Sequence, residues 1–193
     1  MEKIEYYKKL LKERLSKKRY HHSVCVMEQS VRLAGAWGQD EEKAAIAGLL
    51  HDICKEMPDG EQLQYLSAHD ILVDNFTKAN PRALHGITAG VWLREELDID
   101  DEEILGAVTW HTLGKANMAP LEEIVFLADW TSDDRDFPDA DRIRKLLPGK
   151  KDEAVWLGLS FGLSTVISEE LPLIPSSVEG YNDYLYRSKK CER

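Results

Sequence analysis

The sequence predicts an all-α protein, one bundle of about ten helices. Apolar residues recur at helical spacing almost throughout, as in Ile4, Tyr7, Leu11 and Leu15. Acidic caps open several of these stretches, and Pro or Gly punctuates the gaps. No alternating strand pattern of convincing length, internal repeat or low-complexity tract is present. The first helix carries those four residues, with a Lys/Glu face outward. A second covers about 20–37, broken near Gly35 and Gly38. Asp40, followed by Glu41-Glu42-Lys43, caps a third, which runs through the apolar stretch 44–50 to His51-Asp52. Pro58-Asp59-Gly60 reads as a turn and 61–69 as a short helix. The segment 70–84, broken by Asn80-Pro81, is expected as a loop. Helices follow over 85–97 and from the acids 100–103 to His111, with Thr112-Leu113-Gly114-Lys115 as a loop. Pro120 takes the first position of a helix reaching about Trp130. A charged loop, 132–139, precedes a helix ending at Pro148. A long helix over about 152–170 and a last one beyond 172–175 close the chain.

A chain of 193 residues fits one domain large enough to hold a site in its interior. Hydrophobic residues at 43% and charged residues at 31% give a soluble globular balance. The net charge of −10 argues against a general affinity for nucleic-acid backbones. It leaves room for a small phosphorylated ligand, because a metal and a few basic side chains can make a local positive pocket. Cysteines at 25, 54 and 191 form no CxxC or disulfide framework, which fits a reducing cytoplasm. The N-terminal segment has no apolar signal core and no run approaches membrane-span length, so no membrane partner is expected.

His51-Asp52 is the informative pair. An imidazole and a carboxylate at the inner end of a buried helix are costly unless compensated. A borderline divalent cation is the usual compensation. His22, His85, His111 and Asp129 sit in comparable apolar settings, mostly at helix ends, where side chains can converge on one cavity. Such a set, without a thiolate, favours Fe, Mn, Co or Zn over Ca or a structural Cys-zinc site. Neighbouring helix positions diverge by roughly 100°, so His51 and Asp52 can both serve only where the metal sits close to the backbone. His21 and His69 are expected outside the site. Cys54, one turn beyond His51, could touch it, although core packing suits a buried cysteine better. Lys55 stands one turn beyond His51, where it can meet a phosphate, and Arg135 offers a planar fork for one. Arg19 precedes His22 by three residues and could flank the same opening.

The blocks Arg19-Tyr20-His21-His22-Ser23, Ala47 through Lys55, Leu84-His85-Gly86, Trp110-His111-Thr112-Leu113-Gly114 and Phe126-Leu127-Ala128-Asp129 run on to Arg135-Asp136-Phe137-Pro138. In that order they resemble the H…HD…D signature of the HD-domain metal-dependent phosphohydrolases. They are most similar to the YqeK-type symmetrical diadenosine tetraphosphate hydrolases. The resemblance covers residues 19–138, with a weaker echo at 172–177. It implies one HD domain over 1–193, with the helices of 150–190 packed on the motif-bearing core. It also implies metal-activated hydrolysis of diadenosine tetraphosphate to two ADP. The alternatives are an HD nucleotidase or phosphodiesterase of broader specificity, and a non-catalytic nucleotide- or metal-binding protein.

By the same resemblance His22, His51, Asp52 and Asp129 hold the primary metal, Fe first, with Mn, Co or Zn as alternatives. Asp52 also orients the attacking water, and Lys55 acts beside it. His85 and His111 hold a second metal or hydrogen-bond the phosphates. The nucleotide is expected to touch Arg19, His22, Asp52, Ile53, Cys54, Lys55, His85, His111, Thr112, Gly114, Asp129 and Arg135. Further contacts are expected from Pro172, Leu173, Ile174, Pro175, Ser176 and Ser177. Three positions depart from the family pattern. Ser132 stands where Glu is usual, with Asp133 as the expected substitute; Ile174 stands for His, and Ser176 for Asp. These changes bear on nucleotide recognition rather than on reaction class. The apolar faces of the first and last helices would suit a homodimer or the core equally.

Overall fold

The architecture follows from where helices begin. The computed structural model describes residues 2–190 and contains α1 (Glu2–Arg14), α2 (Lys17–Ala36), α3 (Glu41–Leu50), α4 (Asp59–Ala68), α5 (Asn75–Ala79), α6 (Leu84–Leu97) and α7 (Glu102–Trp110). It continues with α8 (Pro120–Thr131), α9 (Pro138–Arg144), α10 (Lys151–Ser168) and α11 (Pro175–Lys190). A single 3-10 turn, Pro81–Ala83, joins α5 to α6, and no strand occurs among the described residues. Asp40 caps α3 by accepting from the amides of Glu42 and Lys43 at 2.9 and 3.0 Å. Asp101 caps α7 in the same way and also pairs with Lys43 at 2.8 Å, which ties the starts of α3 and α7 together.

The most extensive helix pair is α2 on α3; α7 and α8 pack beside it. Helix α8 is buried nearly all round, through Ile124, Val125, Phe126, Leu127 and Ala128. Its buried acid Glu123 accepts from the Tyr184 hydroxyl at 2.7 Å and pairs with Lys151, so α10 and α11 are anchored on α8. That pairing offsets the cost of a buried carboxylate.

Three differences from the sequence expectations have local causes. Asp59 and Gly60 belong to α4, because Pro58 supplies an extended N-cap and Asp59 a first-turn acid. The expected loop 70–84 contains α5, nucleated by Asp74, whose carboxylate accepts from the amides of Phe76 and Thr77. With it, eleven α-helices stand among the described residues, in line with the expected bundle of about ten. Helix α9 starts inside the expected loop, with Pro138 at its first position, and ends at Arg144 rather than at 148. On α1 and α11 the apolar faces turn inward through Tyr7, Leu11 and Tyr184, leaving Tyr6 and Tyr186 exposed. No described helix is long and apolar enough to cross a membrane.

Candidate metal centre

Three histidines spend one ring nitrogen locally and present the other to a common point. His51 follows the last residue of α3, where helix carbonyls lack amide partners, and its Nδ1 donates to the Gly48 carbonyl at 2.7 Å. His111 repeats the device at the end of α7, donating from Nδ1 to the Val108 carbonyl at 2.7 Å. His22 lies within α2, and its Nδ1 donates to Asp134 Oδ2 at 2.8 Å. With the protons on Nδ1, each Nε2 carries a bare lone pair.

Those nitrogens face carboxylates. Asp129 Oδ1 is 2.9 Å from His22 Nε2 and 4.0 Å from His51 Nε2. Asp52 Oδ2 lies 3.4 Å from His51 Nε2 and 3.9 Å from His22 Nε2, while Oδ1 lies 3.6 Å from His111 Nε2. His51 Nε2 is buried and has no hydrogen-bond partner. A buried lone pair aimed at two carboxylates is unfavourable without a cation between them, so this donor set fits a divalent metal. The groups His22, His51, Asp129 and His51, Asp52, His111 each bring their atoms close enough to hold one. His51 keeps α-helical dihedrals and the chain runs on from it as turns, yet Asp52 Oδ2 still comes within reach of His51 Nε2, so the two neighbours serve one point close to the backbone.

Besides the Asp134 carboxylate, the groups around the cluster are cationic or neutral. Arg135 donates to Asp129 Oδ1 at 2.5 Å and to His22 Nε2 at 3.3 Å; Arg19 donates to Asp52 Oδ2 at 2.7 Å. Burial pushes the Asp52 carboxyl up, but without a metal, protons on the rings of His51, then His111 and His85, stand in for the cation, outweigh burial and hold it well below the usual carboxylate range. Asp129 follows the same pattern: burial raises it, and Arg135, then the histidines, bring it well below. Lys55 Nζ lies 3.1 Å from His85 Nε2, and burial lowers its pKa against the pull of Asp52 and Asp129. Burial likewise pushes His85 down to about 4, so its imidazole is neutral at physiological pH. Thr112 Oγ1 lies 3.0 Å from His85 Nε2 and 2.9 Å from His111 Nε2.

A cavity of about 320 Å³ opens from Lys55, His111, Asp129 and Arg135 toward Asn80, Ala83, Trp130, Ile174 and Ser177, with α10 as its far wall. The structure brings His22, His51, Asp52, His85, His111, Asp129, Arg19, Lys55, Thr112 and Arg135 together around the cluster and cavity. Ile174 and Ser177 join the cavity wall, and Ser177 Oγ donates to the Leu113 carbonyl at 2.7 Å. The cavity wall does not include Ile53, Cys54, Gly114, Pro172, Leu173, Pro175 or Ser176. Ile53 and Cys54 pack in the hydrophobic core, where burial pushes the Cys54 thiol up to about 12. Gly114, at φ 60°, backs onto Leu159. His21 is exposed beside Cys25, and His69 ends α4; neither reaches the cluster. Asp133, the expected substitute for a carboxylate at Ser132, instead pairs with Arg32 at 3.0 Å on the surface. Asp134 is the acid that turns inward, and nothing in the sequence distinguishes it from its neighbour. The α10 wall, through Gly158 and Gly162, was also missed; small residues four apart on one helix face are the signal that could have revealed it.

An all-helical bundle with a buried His/Asp metal cluster beside a cation-lined cavity defines a class of metal-dependent hydrolase. The HD-domain family model matches residues 19–134, and the chain belongs to that family. Among its relatives are proteins named bis(5'-nucleosyl)-tetraphosphatase, symmetrical. The one from Halalkalibacterium halodurans is 31% identical over 93% of this chain and 96% of its own. That from Staphylococcus aureus is 30% identical over 98% of each chain. That from Bacillus subtilis is 30% identical over 89% and 92%. Among solved structures, a chain from Clostridium acetobutylicum described as a predicted HD superfamily hydrolase involved in NAD metabolism superposes with a TM-score of 0.91. It is 32% identical and covers 95% of this chain and 97% of that one.

Proposed function

We propose that this chain, as one HD domain, hydrolyses dinucleoside tetraphosphates symmetrically, taking diadenosine tetraphosphate and water to two ADP. The observation that carries the reading is the buried, partnerless His51 Nε2 facing Asp52 and Asp129 at the head of a cavity with Lys55 and Arg135 in its wall. His22, His51, Asp52 and Asp129 would hold the metal, and iron suits this imidazole–carboxylate set, with Mn, Co or Zn able to replace it. A divalent ion there supplies Lewis acidity toward a phosphoryl oxygen and lowers the pKa of an attacking water.

The chain's own groups do the rest. Arg135 and Lys55 place positive charge where the polyphosphate must lie, and Arg135 can do so through a planar fork. Asp52 presents Oδ1 toward the side of His85 and His111, 3.2 Å from His85 Nε2, where it can orient the attacking water. Thr112 and His85 can donate hydrogen bonds to the inner phosphates, whereas His111, its Nδ1–H committed to Val108, offers a lone pair and would hold a second metal. Water adds to one inner phosphorus, the bond from that phosphorus to the central bridging oxygen breaks, and that oxygen departs with the other ADP. The resulting proton leaves to solvent. The apolar wall of Ala83, Leu113 and Ile174 supports binding a nucleoside without a base-specific side chain at 174. The net charge of −10 supports a nucleotide rather than a polynucleotide partner. Free, buried Cys25 and Cys54 suit a reducing cytoplasm.

The test is product analysis with diadenosine tetraphosphate across Fe, Mn, Co and Zn, with metal analysis of the protein as isolated. ADP as sole nucleotide product is expected. AMP plus ATP overturns the symmetrical assignment. Tight ADP binding without turnover makes the chain a nucleotide-binding protein instead.

A further inference from the structure

His51 and His111 orient themselves with carbonyls of their own helix ends, but His22 has no such option. It is the sixth residue of α2, and the carbonyls one turn before it are committed to helix amides. Its Nδ1–H therefore depends on another element, and the group it finds is Asp134 Oδ2 at 2.8 Å. The other oxygen of that carboxylate, Oδ1, accepts from Ser132 Oγ at 2.7 Å, and Ser132 is fully buried. The segment carrying both residues is pinned by Arg144, which donates to the carbonyls of Thr131 at 3.1 Å, Ser132 at 2.8 Å and Arg135 at 2.7 Å. Both oxygens of Asp134 are thus engaged and its backbone is held from below.

We propose that Asp134 is the positioning residue for His22, holding the imidazole in its Nδ1–H tautomer with Nε2 directed at Asp129, and that Ser132 locks the Asp134 carboxylate in that orientation. The inference rests on the metal site proposed above. It assigns the carboxylate–histidine partnership that commonly orients metal-binding imidazoles to one particular acid. Asp133 does not share the task, since it is committed to Arg32 on the surface.

The test uses the full chain and compares wild type with Asp134→Ala, Asp134→Asn and Ser132→Ala. Zn²⁺ affinity is measured by chelator competition, the His22 tautomer by ¹⁵N NMR of the imidazoles, and fold by urea unfolding of metal-free protein. Asp134→Ala should weaken Zn²⁺ binding by roughly 10–100-fold and shift His22 toward the Nε2–H tautomer, with His51 unchanged. Asp134→Asn keeps an acceptor and should restore the tautomer and most of the affinity; Ser132→Ala should fall between. Wild-type affinity in Asp134→Ala, or an unchanged His22 tautomer in Asp134→Ala, overturns the proposal. If Asp134→Ala does not fold, Asp134→Asn decides: a Nε2–H tautomer for His22 in that variant overturns it. Wild-type protein that binds no Zn²⁺ overturns the metal reading, and the tautomer shift then judges Asp134 separately.

Discussion

Gly48 and Ser30 meet across the α2–α3 interface so closely that a β carbon on Gly48 would lie 2.5 Å from Ser30 Oγ and 3.1 Å from the Met27 Cα. The hydroxyl could rotate away, but the Met27 backbone could not. Gly48 also supplies the carbonyl that orients His51, while α2 carries His22. Gly48→Ala should therefore force the helices apart, destabilise the fold by about 1–3 kcal/mol and lower metal retention together. Unchanged urea midpoint and metal content would show that the interface yields more easily than the packing indicates.

The two adjacent histidines of α2 give a sharper contrast. His22 is buried in the cluster, whereas His21 is exposed and lies with Nε2 3.6 Å from Cys25 Sγ. His22→Ala should lose bound metal and His21→Ala should retain it, by elemental analysis of purified protein. Equal metal content in both variants would contradict the assignment.

Arg144 controls the segment that presents Asp134 and Arg135. Arg144→Ala takes a donor from three carbonyls, of which that of Ser132 keeps the Arg135 amide, and should cost on the order of 2 kcal/mol of stability, with a larger loss in kcat than Arg142→Ala, whose guanidinium lies on the surface. Arg144→Lys should rescue poorly, because one ammonium cannot reproduce the planar fork. Chemical denaturation and steady-state kinetics on the three variants check both statements.

His85 makes the metal-free fold pH-dependent with a defined sign. Its pKa falls from an ordinary 6.5 to about 4 on burial, so between those values the unfolded chain binds more protons than the folded one. Stability then rises with pH through that window and is lost on acidification. From pH 7 to 5 the loss from this group should be on the order of 2 kcal/mol. His85→Gln should flatten that part of the profile in urea unfolding at the two pH values. An unchanged slope would show that His85 is not the group responsible.

Much of this was legible in the sequence because its causes are local. Helical spacing and the acids at Asp40 and Asp101 locate α3 and α7. Helix α5 escaped notice because five residues are too few to show a period, and a helix that short depends on its cap and on packing. The residue types of the cluster were equally visible: imidazoles and carboxylates in apolar settings imply a metal whatever the fold.

Tertiary structure decided the rest. The packing of α2, α7 and α8 around the turns that follow α3 brings His22, His111 and Asp129 to the point that His51 and Asp52 face, while Ile53 and Cys54 lie in the core. Asp134 rather than Asp133 meets His22 because Arg32 holds one acid and Arg144 shapes the segment that aims the other. Composition and periodicity are carried by neighbours along the chain. Which of two adjacent acids faces a histidine 112 residues away depends on how several helices pack, and no local pattern contains that information.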